Sequence, residues 1–451
     1  MTDTIKETPR VIPVLAETDV LVVGGGPAGL SAALASAREG VDTMLVERYG
    51  CFGGNITQAM VGSIAWYRHE KTVDAGGIGV EFERRAQEMG ASQPDPQALA
   101  QLLDTDMFKF VADTLVQEAG IVPLLHCSAV DVVMEDNTIK GIITESKSGR
   151  QAILAKRVID ATGDADIACR AGVPYHKAPK DELLAVTVSF GCSGVDVERF
   201  RQYVKENPAR LGDWASETSG KEDGLVGTLI TEPFIKAREA GEIPNDVPLL
   251  GVVGFWDGLT KAGEATHLNM AHVFGIDPTD VWDLTQAEIQ GRQRALLAMN
   301  ALIKYTPGFE NARLRTFASS VGARESRRIT GAYTITEDDV KNEARFADSI
   351  GIFPEFLDAF PVAIIPTTGR YLHIPYRIML PQGVENLLVA GRCVAADKVA
   401  FAATRQMMCC TVTGQGAGVA AAVSVRNGVE CRAVNIGEVQ KALERQGVRV
   451  F

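Results

Sequence analysis

Residues 24 to 29 read Gly-Gly-Gly-Pro-Ala-Gly, a G-x-G-x-x-G pattern whose backbone can lie against a pyrophosphate. Gly24 permits a tight turn, Gly26 lets the backbone approach the phosphates, and Gly29 lets a following helix pack closely on its strands. The phosphates would rest at the start of that helix, around Pro27 and Ala28, where unpaired N–H groups and the helix dipole favour anions. Glu47, about 20 residues on, offers a carboxylate where the ribose hydroxyls of an adenosine should lie. Flavin and nicotinamide dinucleotides use the same cradle, so the pattern alone does not separate them.

The motif needs a strand before it and a helix after it. Asp19 to Val23 (DVLVV) is a short apolar run of the kind expected for a strand buried on both faces. Pro27 to Glu39 is rich in helix formers and stops at Gly40, and Val41 to Val46 makes the next strand. Together they have the length of one βαβ unit. Cys127 to Asp160 alternates apolar segments with polar turns at Glu135 to Asn137 and Lys147 to Gly149, which predicts a three-stranded meander. Asn386 to Ala390 predicts another buried strand, and Thr404 to Ser424 a tightly packed helix. The expected fold is α/β: a Rossmann-like domain with a parallel sheet and meander, plus an inserted α+β substrate domain. Residues 1–65, 115–180 and 370–451 would form the discontinuous cofactor domain, and 66–114 and 181–369 the substrate or cap region.

Composition excludes several classes. The chain has 57 acidic against 45 basic residues and a formal charge of -12, which argues against nucleic acid as a partner. Its apolar runs fall short of the roughly 20 residues that span a bilayer, so no membrane span is expected. The opening MTDTIKETPR lacks the apolar core of a signal peptide, and a cytoplasmic location is expected. Eight Cys occur without C-x-x-C spacing, and His267 and His272 would point to different faces of a helix or strand, so no metal is predicted. The adjacent Cys409 and Cys410 are read as buried small residues, with redox activity as the alternative.

At VVGGGPAGLSAA (22–33), LVERYGCFGGN (45–55), VIDATGDADIA (158–168), PGFENARL (307–314), GARESRRITGAY (322–333) and NLLVAGRCVAADKVAFAATRQMM (386–408) the chain resembles FAD-dependent oxidoreductases of the glutathione-reductase-like superfamily. The likeness is to the branch of fumarate reductase flavoproteins and heterodisulfide reductase flavin subunits. It implies FAD as cofactor and a flavoprotein oxidoreductase; a small-molecule substrate and a homo-oligomer are expected. It also implies that Arg48, Gly53, Gly54 and Asn55 lie along the ribityl chain and phosphates. The strand Ser128, Ala129, Val130 would meet the adenine, and Ala161, Thr162, Gly163 and Asp164 would turn beside the cofactor. Gly391 and Arg392 follow the returning strand. With Thr404 as N-cap, the N–H groups of Gln406 and Met407 would face the N1 and O2 edge of the flavin.

A flavin enzyme also needs a proton carrier and charge stabilisation. His373, Tyr376 and Arg377 in LHIPYR could sit over the flavin, with His373 first choice as proton carrier and a core histidine as the alternative. Tyr67, Arg68 and His69 follow the Gly53-Gly54 loop. Arg324, beside Glu325, Arg327 and Arg328, either clamps a substrate carboxylate or carbonyl or belongs to a surface salt-bridge cluster. Arg405 is expected to face the substrate or the flavin. No second strand-bound G-x-G-x-x-G exists for NAD(P)H, so oxygen, a quinone or a redox protein would exchange the electrons. Cys51 lacks a partner at Ile56, which disfavours disulfide reduction. Alternatives are a flavin-binding electron-transfer subunit, an NAD-linked dehydrogenase and, third, a monooxygenase.

Overall fold

The computed structural model describes residues 4–5, 7–64, 74–94, 100–206, 227–248, 258–354, 357–359, 362–364 and 369–451. Strand β1 is Val14–Val23, and its last four residues are buried on both faces. It is longer than the expected Asp19 start because its more polar first half pairs along the edge of Ala152 to Ala155. Helix α1, Pro27–Arg38, starts on its proline and runs out before Gly40, whose φ of +80° is the left-handed conformation glycine tolerates at a helix end. β2 (Thr43–Val46) and β3 (Val122–Leu124) follow, then β4 (Ser128–Glu135), β5 (Thr138–Ser146) and β6 (Gly149–Asp160), the three strands of the meander.

A second body begins with β7 (Phe190–Ser193), which lies between β8 (Glu264–Leu268) and, beyond helix α2 (Val281–Tyr305), β9 (Arg313–Phe317) in an antiparallel sheet. Asp280 starts α2 by accepting hydrogen bonds from the backbone N–H groups of Trp282 and Asp283. This body has its own core, with Phe190, Phe200, Phe234, Met299 and Leu302 at its centre. The chain returns to the first core through the antiparallel pair β10 (Ser349–Pro354) and β11 (Tyr371–Pro375), then β12 (Leu387–Val389), α3 (Lys398–Thr404) and α4 (Met407–Asn427).

The main sheet runs β3-β2-β1-β6, all parallel; the first half of β6 pairs with β5 and its last three residues with β12. Register places Val23, Val46, Asp160 and Val389 at one edge, so the loops leaving β1, β2, β6 and β12 open side by side. This is the edge at which parallel α/β sheets take their ligands. The fold is therefore a mixed α/β, Rossmann-like arrangement with a mostly parallel sheet.

Two sequence expectations shift. Phe82, Phe108, Val111 and Leu115, from the stretch expected in the cap, belong to the first core with the sheet. Thr404 ends α3 instead of capping the long helix. Asp397 captures the N–H groups of Val399 and Ala400 and starts a short helix early, and Gln406 is then the N-cap of α4.

Helix α4 is long and apolar enough to cross a bilayer, yet 94% of that stretch is buried in the protein. Gly414 and Gly418 face α1, while Gly416 packs on Ile350 of β10. A Cβ on Gly414 would lie 2.1 Å from the carbonyl oxygen of Ala28, and one on Gly418 would lie 2.2 Å from that of Ala32. The two helices thus meet backbone to backbone, which only glycine allows. Gly418→Leu is expected to destabilise the protein by about 3 kcal/mol or more, since the obstacle is backbone that cannot rotate away; a fall in the urea midpoint checks this.

Candidate functional site

At the carboxyl edge of the sheet lies a cavity of about 610 Å3. That is well inside the range of about 300–1,000 Å3 usual for small-molecule sites. Its floor is the Gly24 to Ala28 turn. The Gly24 N–H donates to the Val46 carbonyl at 2.8 Å, and a Cβ on Gly24 would fall 2.4 Å from the Ala161 oxygen. Gly29 is needed for the same contact from the other side, because its Cβ would strike the Gly24 oxygen at 1.7 Å. Gly26 is the N-cap of α1 and has no side chain to satisfy the first amides, so the helix presents bare N–H groups beside Ala28.

Glu47 is buried at the end of β2 and is fixed from two sides. Its Oε2 accepts from the Gly25 N–H at 2.7 Å and its Oε1 from the Tyr49 N–H at 3.0 Å. The carboxylate is thereby oriented while its remaining lone pairs line the cavity. Next to it, burial works against the charge of Arg48, but Tyr49, Asp164, Glu47 and Asp166 more than offset this and raise its pKa.

The turn after β6 is built on Asp160, which is fully buried. It accepts from Thr162 N–H and Oγ1 and from the N–H groups of Ile167 and Ala168 at 2.7 to 3.1 Å. Burial pushes its pKa up to about 6, and the four donors act in the opposite direction. Asp164 accepts from Ser326 Oγ at 2.7 Å and from Arg392 Nη2 at 2.6 Å. Arg392 also donates through Nε to the Gly163 carbonyl at 2.7 Å and through Nη1 to the Ala323 carbonyl. One guanidinium thus joins the turns after β6 and β12 to the segment that precedes Arg324.

Every residue expected at the cofactor lines this cavity except Gly29, Gly53 and Gln406. Gly29 and Gly53 sit behind it, the latter at φ +110° with its N–H on the Gly25 carbonyl. Gln406 turns its side chain back to the Ala402 carbonyl. Among the expected catalytic residues, Arg405 lines the cavity, beside Met407 and Cys410. Burial pushes the Cys410 thiol up to about 12, so it is protonated at neutral pH.

The other candidates lie elsewhere. His373 is buried in β11, where its Nδ1 accepts from the Phe346 N–H and its ring meets Phe451, and burial lowers its pKa. Tyr376 is fully buried and donates to the Cys431 carbonyl. Neither borders the cavity: β11 is buried along Leu372 to Pro375, and Tyr376 opens a buried 3-10 turn, Tyr376–Met379, that follows it. Arg324 donates to Asn269 Oδ1 at 3.3 Å, and its neighbour Ala323 rather than Arg324 lines the cavity. Arg328 and Glu325 form a buried ion pair at 2.7 Å in place of a surface cluster. Tyr67, Arg68 and His69 lie outside the described residues. His267 is a core histidine, accepting from the Gly62 N–H, with its pKa pulled down to about 4 by burial.

The sequence reading missed the opposite wall. Pro278, Leu284 and Glu288, at and after the start of α2, and Ser320 and Val321 close the cavity from the second body. Tyr49 Oη and Ser320 Oγ meet at 3.2 Å across the gap, and Glu288 Oε1 accepts from the Val321 N–H at 2.8 Å. Tyr49 could have been found by its adjacency to Glu47. The others carry no motif, because long-range packing alone brings them in.

Thiamine thiazole synthase of Methanococcus vannielii is 31% identical over 166 residues, 33% of this chain and 57% of that protein. The enzyme of the same name from Saccharolobus islandicus is 29% identical over 174 residues, 36% of this chain and 61% of that one. The chain therefore spans less than two thirds of the length of these relatives. Among solved structures, a geranylgeranyl bacteriochlorophyll reductase-like protein from Thermoplasma acidophilum is 13% identical, with TM-score 0.45 over 96% of this chain and 82% of that one. A p-nitrophenol 4-monooxygenase from Pseudomonas putida is 12% identical, with TM-score 0.44 over 95% and 84%. A family model described as FAD dependent oxidoreductase matches residues 19–443, from within β1 to beyond α4. With that match across nearly the whole chain, the protein belongs to the FAD dependent oxidoreductase family.

Proposed function

We propose that this FAD-dependent oxidoreductase passes a hydride between a small organic substrate and FAD held in the 610 Å3 cavity. The observation that carries the proposal is the convergence of four strand-end loops on one cavity whose far wall comes from a second body. The residues suit the cofactor. A glycine cradle and bare helix amides match a pyrophosphate, and a doubly anchored Glu47 matches ribose hydroxyls. When bound, the flavin supplies two-electron chemistry that no side chain can.

We assign the diphosphate to Gly24, Gly26 and Ala28, the adenosine to Glu47 and Ser128 to Val130, and the reacting end to the neighbourhood of Arg405 and Met407. The dipole at the start of α4 favours negative charge there, although Gln406 and Met408 give their N–H groups to the Ala403 and Ile64 carbonyls. Arg405, two residues before that helix, adds a full positive charge and orients an anionic or carbonyl group of the substrate. The second body shuts water away from that end through Leu284 and Val321.

Glu47→Gln replaces one acceptor by a donor facing backbone N–H groups, and FAD affinity is expected to fall by about 2 kcal/mol, roughly thirtyfold in Kd; fluorescence titration of the apoprotein measures it. Gly26→Val fills the phosphate cradle where only ordinary van der Waals contact with Gly54 limits space, so the protein should fold, with little change in Tm, yet purify without a flavin spectrum. Arg405→Ala should keep its flavin and lose about a hundredfold in the rate of anaerobic flavin bleaching by a substrate found in a panel of hydroxy acids, alcohols, enones and amines. A chain that binds no FAD would overturn the proposal.

A further inference from the structure

Helix α2 has two functional faces. Leu284 and Glu288 point into the cavity, and Gly291 packs on Val188, where an added Cβ would fall 2.2 Å from its side chain. The opposite face is open. Trp282 is 80% exposed, Ile289 51% and Leu296 48%, with Val281 and Phe274 exposed beside them.

The exposed residues from Val281 to Asn300 are Val, Trp, Thr, Gln, Ile, Leu and Asn, in a protein that is 23% charged; the partly exposed Arg292 side chain is held by Glu288 at 2.8 Å. The charges of this helix are used elsewhere: Asp283 pairs with Lys180 and Glu288 with Arg292. Trp282, Ile289 and Leu296 recur at the seven-residue spacing that keeps side chains on one seam between two helices. Gln286 and Gln293 lie beside that seam, neutral and able to hydrogen-bond across it.

We infer that this face is a two-fold contact with a second copy of the same chain. The pattern is symmetric about Ile289. Antiparallel pairing of two α2 helices sets each Trp282 against the partner copy's Leu296 and each Ile289 against its own equivalent, which is the self-complementarity an isologous interface requires. A different protein would impose no such symmetry on the sequence. Charge points the same way, because two chains of formal charge -12 repel over most of their surfaces and can approach where the surface is neutral. A 25-residue helix pair with its flanks buries on the order of 1,000 Å2 in total, the lower end for a specific interface, so the dimer should be reversible. It would also brace the helix whose inner face closes the cavity.

Sedimentation velocity of the full chain with its cofactor, from nanomolar to tens of micromolar, is expected to show a shift from the 48.4 kDa chain mass to twice that mass. Ile289→Glu, which sets like charges on the two-fold axis, should remain monomeric throughout, while Ile235→Glu, at an exposed site outside this face, should dimerise as the wild type does. Ile289→Cys gives an independent reading. The eight native cysteines are buried or half-buried, so mild oxidation should yield a disulfide-linked dimer through position 289 alone. A wild type that is monomeric at all concentrations, an Ile289→Glu variant that retains the doubled mass, or an Ile289→Cys variant that does not cross-link overturns the inference.

Discussion

The structure depends on how closely backbone can approach backbone around the first turn of α1. Gly29 meets the Gly24 carbonyl, Gly24 meets Ala161, and Gly414 meets Ala28 at distances that leave no room for a single methyl group. Dispersion and hydrogen bonding at this range are strong because nothing stands between the chains. Three segments distant in sequence are thus held within one turn of helix, and they surround the same space. The cavity follows from that contact rather than from any one loop.

Charged groups then set the shape that glycine permits. Asp160 gathers four donors and closes the turn after β6, and Arg392 connects that turn to the second body. Buried polar groups of this kind are costly unless hydrogen-bonded, and here Asp160 has four neutral donors and Arg392 a carboxylate and two carbonyls. Arg392 was expected at the cofactor; although it lines the cavity, its guanidinium is engaged by two carbonyls and a carboxylate, which suits it to hold the wall rather than a phosphate.

The sheet, α1, the meander and the returning strand were legible because each rests on local signals: apolar runs of strand length, a glycine fingerprint, polar turns. The floor of the site was legible for the same reason. His373 and Tyr376 were misleading because residue type suggests chemistry, while β11 and the turn after it are buried in the core along nearly their whole length. Glu288 and Ser320 could not be read at all. They reach the cavity only through the docking of a second core, and no spacing in the chain encodes that docking.

Strand β6 has two neighbours on one edge: β5 precedes it immediately, whereas β12 arrives more than two hundred residues later. Helix α4, which covers α1, comes later still. During synthesis the phosphate-binding turn therefore leaves the ribosome long before its cover exists, and the apolar side of α1 stays in water until α4 follows. Contact order of this kind delays the final collapse and leaves apolar surface exposed for longer in the growing chain.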